Sequence, residues 1–290
     1  MNENIASNDK PIATWNRFVL IQVLIGLLFI KLLAVPQVIK AQSYYSVYHL
    51  NKADYIITPA SWTFGLVLKY GVSTNDLLTQ EEIGALTLDP FFAMDNFAMN
   101  KYNPSLDKFG DFIIAIPLVA PLMFSIPAIK NKDWQQVATL NIMYAEVLGL
   151  TFGMAELSKV AFHRIRPFMY NTNLTVDERY LLNESGDGEK SFYSMHTAFA
   201  FSSAVFFSKV YSDSYGKSAR SNLIWAGSLG LATGIGISRV YSGQHFPTDV
   251  IAGALVGGLT GFLIPALHRK NQTRTSWIIA PNGIRVTYRI

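Results

Sequence analysis

The chain has 290 residues, a formal net charge of +4 and a pI near 9.1. Charged residues make up 15% and hydrophobic residues 50%, whereas a soluble domain carries about 25% charged residues. The apolar residues form long runs, so the composition indicates a polytopic membrane protein. The absence of cysteine excludes disulfides and thiolate chemistry. Basic residues lie in short loops beside the apolar runs, where membrane orientation explains them, so nucleic acid is not a predicted partner.

The first 40 residues are predicted to be an N-terminal anchor or signal segment. An apolar run covers residues 18–39, interrupted by Lys31. The whole run is long enough to span a bilayer, and the uninterrupted part, 18–30, has the length of a signal-peptide core, so both interpretations stay open. Either one delivers residues 41–109 to the outer side. In that extracytoplasmic or interfacial segment, residues 56–70 are expected to form an interfacial helix rather than a span.

Residues 110–268 are predicted to form an all-α membrane helix bundle. With the N-terminal run, the apolar stretches give about six spanning helices; the five within the bundle are 111–129, 137–162, 191–207, 223–240 and 250–267. The first of these carries Pro117, Pro121 and Pro127 and should be kinked. The last carries a glycine every fourth residue, at Gly253 and two further positions, which predicts close contact with a neighbouring helix.

The loops set the orientation. Lysine and arginine follow the first, third and fifth stretches of the bundle, and the positive-inside rule places these connections in the cytoplasm. Residues 163–190 and 241–249 then face outward. The protein is predicted to lie in a bacterial inner membrane with this side toward the periplasm. Residues 269–290 form a cytoplasmic tail, in which 276–290 is expected to be a short β-hairpin around Pro281-Asn282-Gly283.

Polar residues gather at the predicted outward ends of the spans. They are three cations, two histidines, a serine and a carboxylate: Lys159, Arg166, Arg239, His196, His245, Ser194 and Asp249. Three fixed cations can balance a phosphate and its transition state. Two histidines can supply a nucleophile and an acid near neutral pH, and Asp249 is placed to orient His245. This set predicts phosphoryl-transfer chemistry that needs no metal and no cofactor.

The same residues occur in three runs that resemble the signatures of the type-2 phosphatidic acid phosphatase superfamily, which is related to vanadium haloperoxidases. Residues 159–167 match KxxxxxxRP, residues 193–196 resemble PSGH, and residues 238–249 match SRxxxxxHxxxD. The second run departs from the pattern at Tyr193 and at Met195, which stands in place of glycine. If that position required a positive φ, methionine would strain the loop.

The resemblance implies a role for each residue. His245 would attack phosphorus to give a phosphohistidine, with Asp249 hydrogen-bonded to it. His196 would protonate the leaving oxygen and then activate water. The phosphate would be held by Lys159, Arg166, Ser194, Arg239 and the Met195 amide.

Three further expectations come from the residues around the motifs. Glu156 lies one helical turn before Lys159 and is expected to position it. Glu146, within an apolar span, has no predicted partner. The remaining histidines are expected to be solvated or structural; they are His49, His163 and His268.

The predicted function is a membrane phosphatase that hydrolyses a lipid phosphate or pyrophosphate monoester, with the bilayer and the lipid as its partners. Three alternatives remain: phosphotransfer to another acceptor, vanadate-dependent halide oxidation, and a non-catalytic lipid-binding or transport protein.

Overall fold

The computed structural model describes residues 47–72, 77–87, 92–184, 186–270, 275–280 and 283–288. The predicted N-terminal anchor or signal segment lies outside these residues. The α-helices are α1 Asp54–Gly71, α2 Gln80–Ala85, α3 Pro104–Ile113, α4 Ala115–Val119, α5 Ser125–Lys130, α6 Trp134–Phe162, α7 Val176–Asn183, α8 Met195–Tyr215, α9 Ala219–Tyr241 and α10 Pro247–His268. Three short 3₁₀ helices cover Ala93–Ala98, Ala120–Phe124 and Pro167–Tyr170.

After the helices come two strands, β1 Thr275–Ala280 and β2 Gly283–Tyr288. They pair antiparallel, with Thr275 opposite Tyr288 and Ala280 opposite Gly283.

Four helical segments are long and apolar enough to cross a bilayer, so the chain is an integral membrane protein. They are Pro104–Lys130, Trp134–Tyr170, Ala219–Tyr241 and Pro247–His268. Four of the five stretches predicted within the bundle are thus candidate spans, and the sixth predicted span lies in the N-terminal segment outside the described residues. The stretch 191–207, now the first part of α8, is not among the four. This helix packs against α6, α9 and α10, and its hydroxyl groups, such as Ser202 and Ser203, are buried by these neighbours.

The first span is interrupted where prolines were expected to kink it. Pro117 lies within α4, Pro121 lies in the 3₁₀ helix that follows, and Pro127 lies within α5. Proline removes a backbone donor and clashes with the preceding turn, so the segment runs as short helical pieces. The predicted kinks are confirmed.

The glycine stripe of α10 lies against α8. A Cβ added to Gly257 would meet the carbonyl oxygen of Ala198 at 2.1 Å, and one added to Gly253 would meet that of Ser194 at 2.6 Å. Leu255 and Leu259, on the other side of α10, are exposed as a lipid-facing surface would be. The predicted close contact is confirmed, and it holds the start of α8 beside the start of α10.

Helix α1, expected to be interfacial rather than spanning, is not among the four candidate spans. It lies alongside α6, where Trp62 Nε1 donates to the carbonyl oxygen of Ala145 at 2.9 Å and Gly65 faces Phe152. Its 18 residues cover about 27 Å. Small residues on both helices, Gly65 and Gly149 among them, allow this close approach, which the hydropathy of the segment does not reveal.

The residues before α1 lie at the end of the bundle where α10 finishes. Tyr48 pairs with Arg269 in an antiparallel bridge, and the His49 amide donates to the carbonyl oxygen of His268 at 3.0 Å. The last turn of α1 reaches the opposite end. Helix α1 therefore runs beside α6 from the end where α10 finishes to the residues Leu68 and Lys69 at the opposite end.

Candidate active site

A cavity of about 490 Å³ lies at the end of the bundle where α6 and α9 finish and α8 and α10 begin. Six of the eight predicted site residues line it: Lys159, Arg166, Met195, His196, Arg239 and His245. Ser194 and Asp249 are fully buried and lie behind its wall. Segments far apart in the sequence thus bring both histidines and all three cations to one space.

Helix α6 ends within the first motif, between Lys159 and Arg166, and this helix end sets the positions of the two cations. Lys159 lies in the last turn of α6, and His163 then adopts a left-handed conformation with φ of 44°. The chain turns, and the amide of Arg166 donates to the carbonyl oxygen of Gly188 at 2.7 Å. Pro167 begins the next 3₁₀ turn. The spacing therefore places the lysine on a helix and the arginine on the following loop, both at the cavity.

His245 lies in the turn between α9 and α10. Its Nδ1 donates a hydrogen bond to the carbonyl oxygen of Ser191 at 2.7 Å, which leaves Nε2 with a free lone pair. Burial, followed by the charges of Arg166 and Arg239, holds the pKa of His245 well below 6.5. A neutral imidazole at neutral pH is the form that a nucleophile requires.

Asp249 does not make the expected hydrogen bond to His245, since Nδ1 and Oδ2 are 3.9 Å apart. Oδ2 instead accepts from the Ser191 hydroxyl at 2.6 Å and from the amide of Phe246 at 2.8 Å. The carboxylate sits in the first turn of α10, where free amide groups attract it. It therefore supports His245 indirectly, by fixing the residue whose carbonyl oxygen holds the imidazole.

Two residues missed by the sequence analysis complete this network. Arg164, at a variable position of the first motif, pairs with Asp249 and with Asp95 at 2.7 Å. Asp95 is fully buried and also accepts from the amide and hydroxyl of Thr248. Asp95 precedes the segment matched to the motifs, so no spacing pointed to it.

Two carboxylates of α3 were also missed. Asp111 Oδ1 lies 2.9 Å from His196 Nε2 and 3.1 Å from Arg239 Nη1. Asp107 Oδ1 lies 2.7 Å from Arg239 Nη1. Their separation by four residues, just before the first apolar stretch, is the sequence signal that could have indicated a shared helix face. They balance Arg239 and orient His196 at the cavity.

The expected contact between Glu156 and Lys159 is confirmed, with Oε1 and Nζ 2.9 Å apart. Arg166 bonds to the Gln244 side chain, and Gln244 in turn donates to Asp107 at 3.1 Å. Each of the three cations thus has a polar partner that fixes its position.

The second motif forms the start of α8. Ser194 caps the helix, and its Oγ accepts from the Thr197 hydroxyl at 2.9 Å, so it supports the helix terminus rather than lining the cavity. Met195 is the first helical residue. Among the described residues, the non-glycine positions with positive φ are Lys132 and His163, so methionine introduces no such strain here. The helix terminus presents amide donors toward an anion.

The fold and this site define a membrane protein in which two imidazoles and three cations line one cavity. Residues 140–273, nearly half of the chain, match the model of the PAP2 superfamily, and this part of the chain is of the PAP2 type. The family therefore agrees with the resemblance carried by the three motifs.

Three similar proteins are characterised. A lipid A 4′-phosphatase of Bacteroides thetaiotaomicron is 25% identical over 174 residues, which cover 58% of this chain and 71% of that protein. A lipid A 1-phosphatase of Porphyromonas gingivalis is 29% identical over 150 residues, which cover 51% of this chain and 28% of that protein. The crystal structure of a PAP2-type phosphatidylglycerolphosphate phosphatase from Bacillus subtilis is 22% identical, covers 74% of this chain and 98% of that one, and has a TM-score of 0.41.

Proposed function

We propose that this enzyme removes a phosphate monoester from lipid A or a closely similar glycolipid, through a phosphohistidine and without a catalytic metal. The observation that carries the proposal is the convergence of both histidines and three cations on one cavity. The choice of lipid rests on the two lipid A phosphatases among the similar proteins.

Phosphate binding is assigned to Lys159, Arg166 and Arg239. Three positive charges match a phosphate dianion and the additional charge of its transition state. Arg239 contacts the carboxylates of Asp107 and Asp111, and Asp111 also contacts His196 Nε2. An incoming phosphate takes over the contacts of Arg239, and its leaving oxygen takes the place of Asp111 beside His196 Nε2.

In the first step, the Nε2 lone pair of His245 attacks phosphorus, and the bond between phosphorus and the sugar oxygen breaks. The proton on Nε2 of a protonated His196 passes to the leaving oxygen. The Ser191 carbonyl oxygen keeps the Nδ1 proton of His245 in place throughout. The products are the dephosphorylated lipid and a phosphohistidine.

In the second step, the now neutral His196 takes a proton from water, and the oxygen of that water attacks the phosphohistidine. The phosphorus–nitrogen bond breaks, inorganic phosphate leaves, and His245 returns to its neutral form.

The site is assigned to the periplasmic side. The cavity lies at the end opposite Arg269 and Lys270, which the positive-inside rule places in the cytoplasm. Leu68 and Val72, at the end of α1, line the cavity beside its cations. This apolar wall suits a lipid whose phosphate enters the cavity while its acyl chains stay in the bilayer.

The test is phosphate release by the detergent-purified protein from lipid A, phosphatidylglycerol phosphate, phosphatidic acid and a polyprenyl pyrophosphate, with His245→Ala as the blank and His163→Asn as the control. Mass spectrometry should find lipid A lacking one phosphate with the parent and with His163→Asn, and unchanged lipid A with His245→Ala. Hydrolysis of another lipid with lipid A untouched would overturn the substrate assignment. Equal, background release by all three proteins would overturn the enzymatic proposal in favour of lipid binding. Transfer of the phosphate to an added acceptor, without free phosphate, would indicate a phosphotransferase.

A further inference from the structure

A second group of ionisable side chains lies at the end of the bundle opposite the cavity. It consists of Asp54 at the start of α1, Glu146 within α6 and His268 at the end of α10, and all three are buried. His268 Nε2 is 3.0 Å from Asp54 Oδ2 and 3.6 Å from Glu146 Oε2. We name this group the far-end triad.

The far-end triad is remote from the phosphatase chemistry. Glu146 and Lys159 are thirteen residues apart on α6, a distance of about 20 Å along the helix axis. Asp249 and His268 lie in the first and last turns of α10. The two sites therefore lie at opposite ends of α10, and no residue of the triad lines the cavity.

The tautomer of His268 points to a cation between the three side chains. Nδ1 of His268 donates to the carbonyl oxygen of Ile264 at 2.8 Å, so Nε2 of the neutral ring turns a lone pair toward two carboxylates. Nε2 and Glu146 Oε2 are both buried and make no hydrogen bond. Two carboxylate oxygens and an imidazole lone pair repel one another in a buried site unless a positive charge lies among them.

We propose that the far-end triad binds one divalent transition-metal ion, and that Zn²⁺ fits it best. One imidazole nitrogen and two carboxylate oxygens form a recognised donor set for this ion, with water as the fourth ligand. The three donor atoms lie within 4.8 Å of one another, and those of a tetrahedral zinc site are about 3.3 Å apart. A backbone carbonyl oxygen on the second imidazole nitrogen is the usual support of a metal-binding histidine. Two carboxylates and one divalent ion also leave no net charge.

The role of this ion is structural. It joins three segments that are distant in sequence, and the neighbouring pairing of Tyr48 with Arg269 holds the same region together. Through Asp54 it fastens the first turn of α1, whose other end carries Leu68 and Lys69 at the cavity wall. The ion takes no part in phosphoryl transfer.

The competing explanation is a proton on His268 in place of the metal. To distinguish them, the intact detergent-purified protein is stripped with a chelator and titrated with Zn²⁺ by calorimetry, with metal content measured after gel filtration. The parent and His163→Asn, which removes a solvent-exposed imidazole elsewhere, should bind one ion per chain. His268→Asn, whose amide can still donate to Ile264, should bind less than a tenth of that. Stripping should lower the Tm of the parent, and Zn²⁺ should restore it.

Binding of Co²⁺ can be measured on the parent protein alone, so this test does not require that any variant folds. The stripped parent protein should develop the visible absorption bands of a four-coordinate Co²⁺ site, and Zn²⁺ should abolish them. Failure of the parent to take up Zn²⁺ or Co²⁺, with a Tm that the chelator leaves unchanged, would overturn the metal site and leave a proton-balanced ion pair. Phosphate release by the stripped protein below its Tm tests the metal-free chemistry separately, so the two proposals fail independently.

Discussion

The two ends of the bundle are built on the same helices with opposite charge. The cavity is lined by five lysines and arginines and by four carboxylates, two of which, Asp107 and Asp111, contact Arg239. At the far-end triad, two carboxylates meet a single imidazole. Helix α6 contributes Lys159, in its last turn, to the cavity and Glu146, near its middle, to the far-end triad.

This contrast teaches that the sign of an unbalanced buried charge indicates the kind of ligand. Burying a charge is costly unless a partner of opposite charge is present. The cavity has an excess of positive charge and room for a phosphate. The triad has an excess of negative charge and room for one ion. The predictions below test whether each end depends on its own set of groups.

The largest expected effect is at the catalytic acid. His196→Ala should lower kcat by about 10²–10⁴-fold, because it removes the group that transfers protons in both steps. Single-turnover phosphate release measures this, with His163→Asn as the control and the melting temperature as the check on folding. A loss no greater than twofold would exclude His196 as the general acid.

An intermediate effect is expected at the phosphate-binding arginines. Arg239→Gln should cost about 1.5–3 kcal/mol of transition-state stabilisation through lost charged hydrogen bonds, which corresponds to about 10–150-fold in kcat/KM. Arg166→Gln should lower kcat/KM by a similar factor.

The matched control for the arginines is Lys108→Gln, which removes an exposed positive charge from α3. It should leave kcat/KM within about twofold, because exposed charges contribute little. If the lysine and arginine variants lost the same activity, general surface charge rather than direct phosphate binding would account for the effect.

The smallest effect is expected from Glu156→Gln, which removes the carboxylate that holds Lys159. The amide still accepts a hydrogen bond but no longer pairs with the ammonium, so about 1 kcal/mol should be lost, or roughly fivefold in kcat/KM. Steady-state kinetics beside Glu184→Gln, an exposed carboxylate of the same size, provide the comparison. Unchanged turnover would remove the positioning role of Glu156.

The sequence alone determined the membrane-bundle class, the kinked first span, the glycine contact of α10 and the identity of the catalytic candidates. These features are local. Hydropathy follows from neighbouring residues, proline and glycine act on their own helix, and the spacing within each motif reflects a helix end and the loop after it. The contact of Glu156 with Lys159 belongs to this class, since one helical turn separates them.

The tertiary structure decided what depends on residues distant along the chain. In the folded chain, α1 lies along α6. Asp249 accepts a hydrogen bond from Ser191 and pairs with Arg164 instead of His245, and Asp111 contacts His196. The tertiary structure also joins Asp54, Glu146 and His268, which no motif links. Such contacts form only when separate helices pack together, and the sequence of one helix does not determine which other helix packs against it.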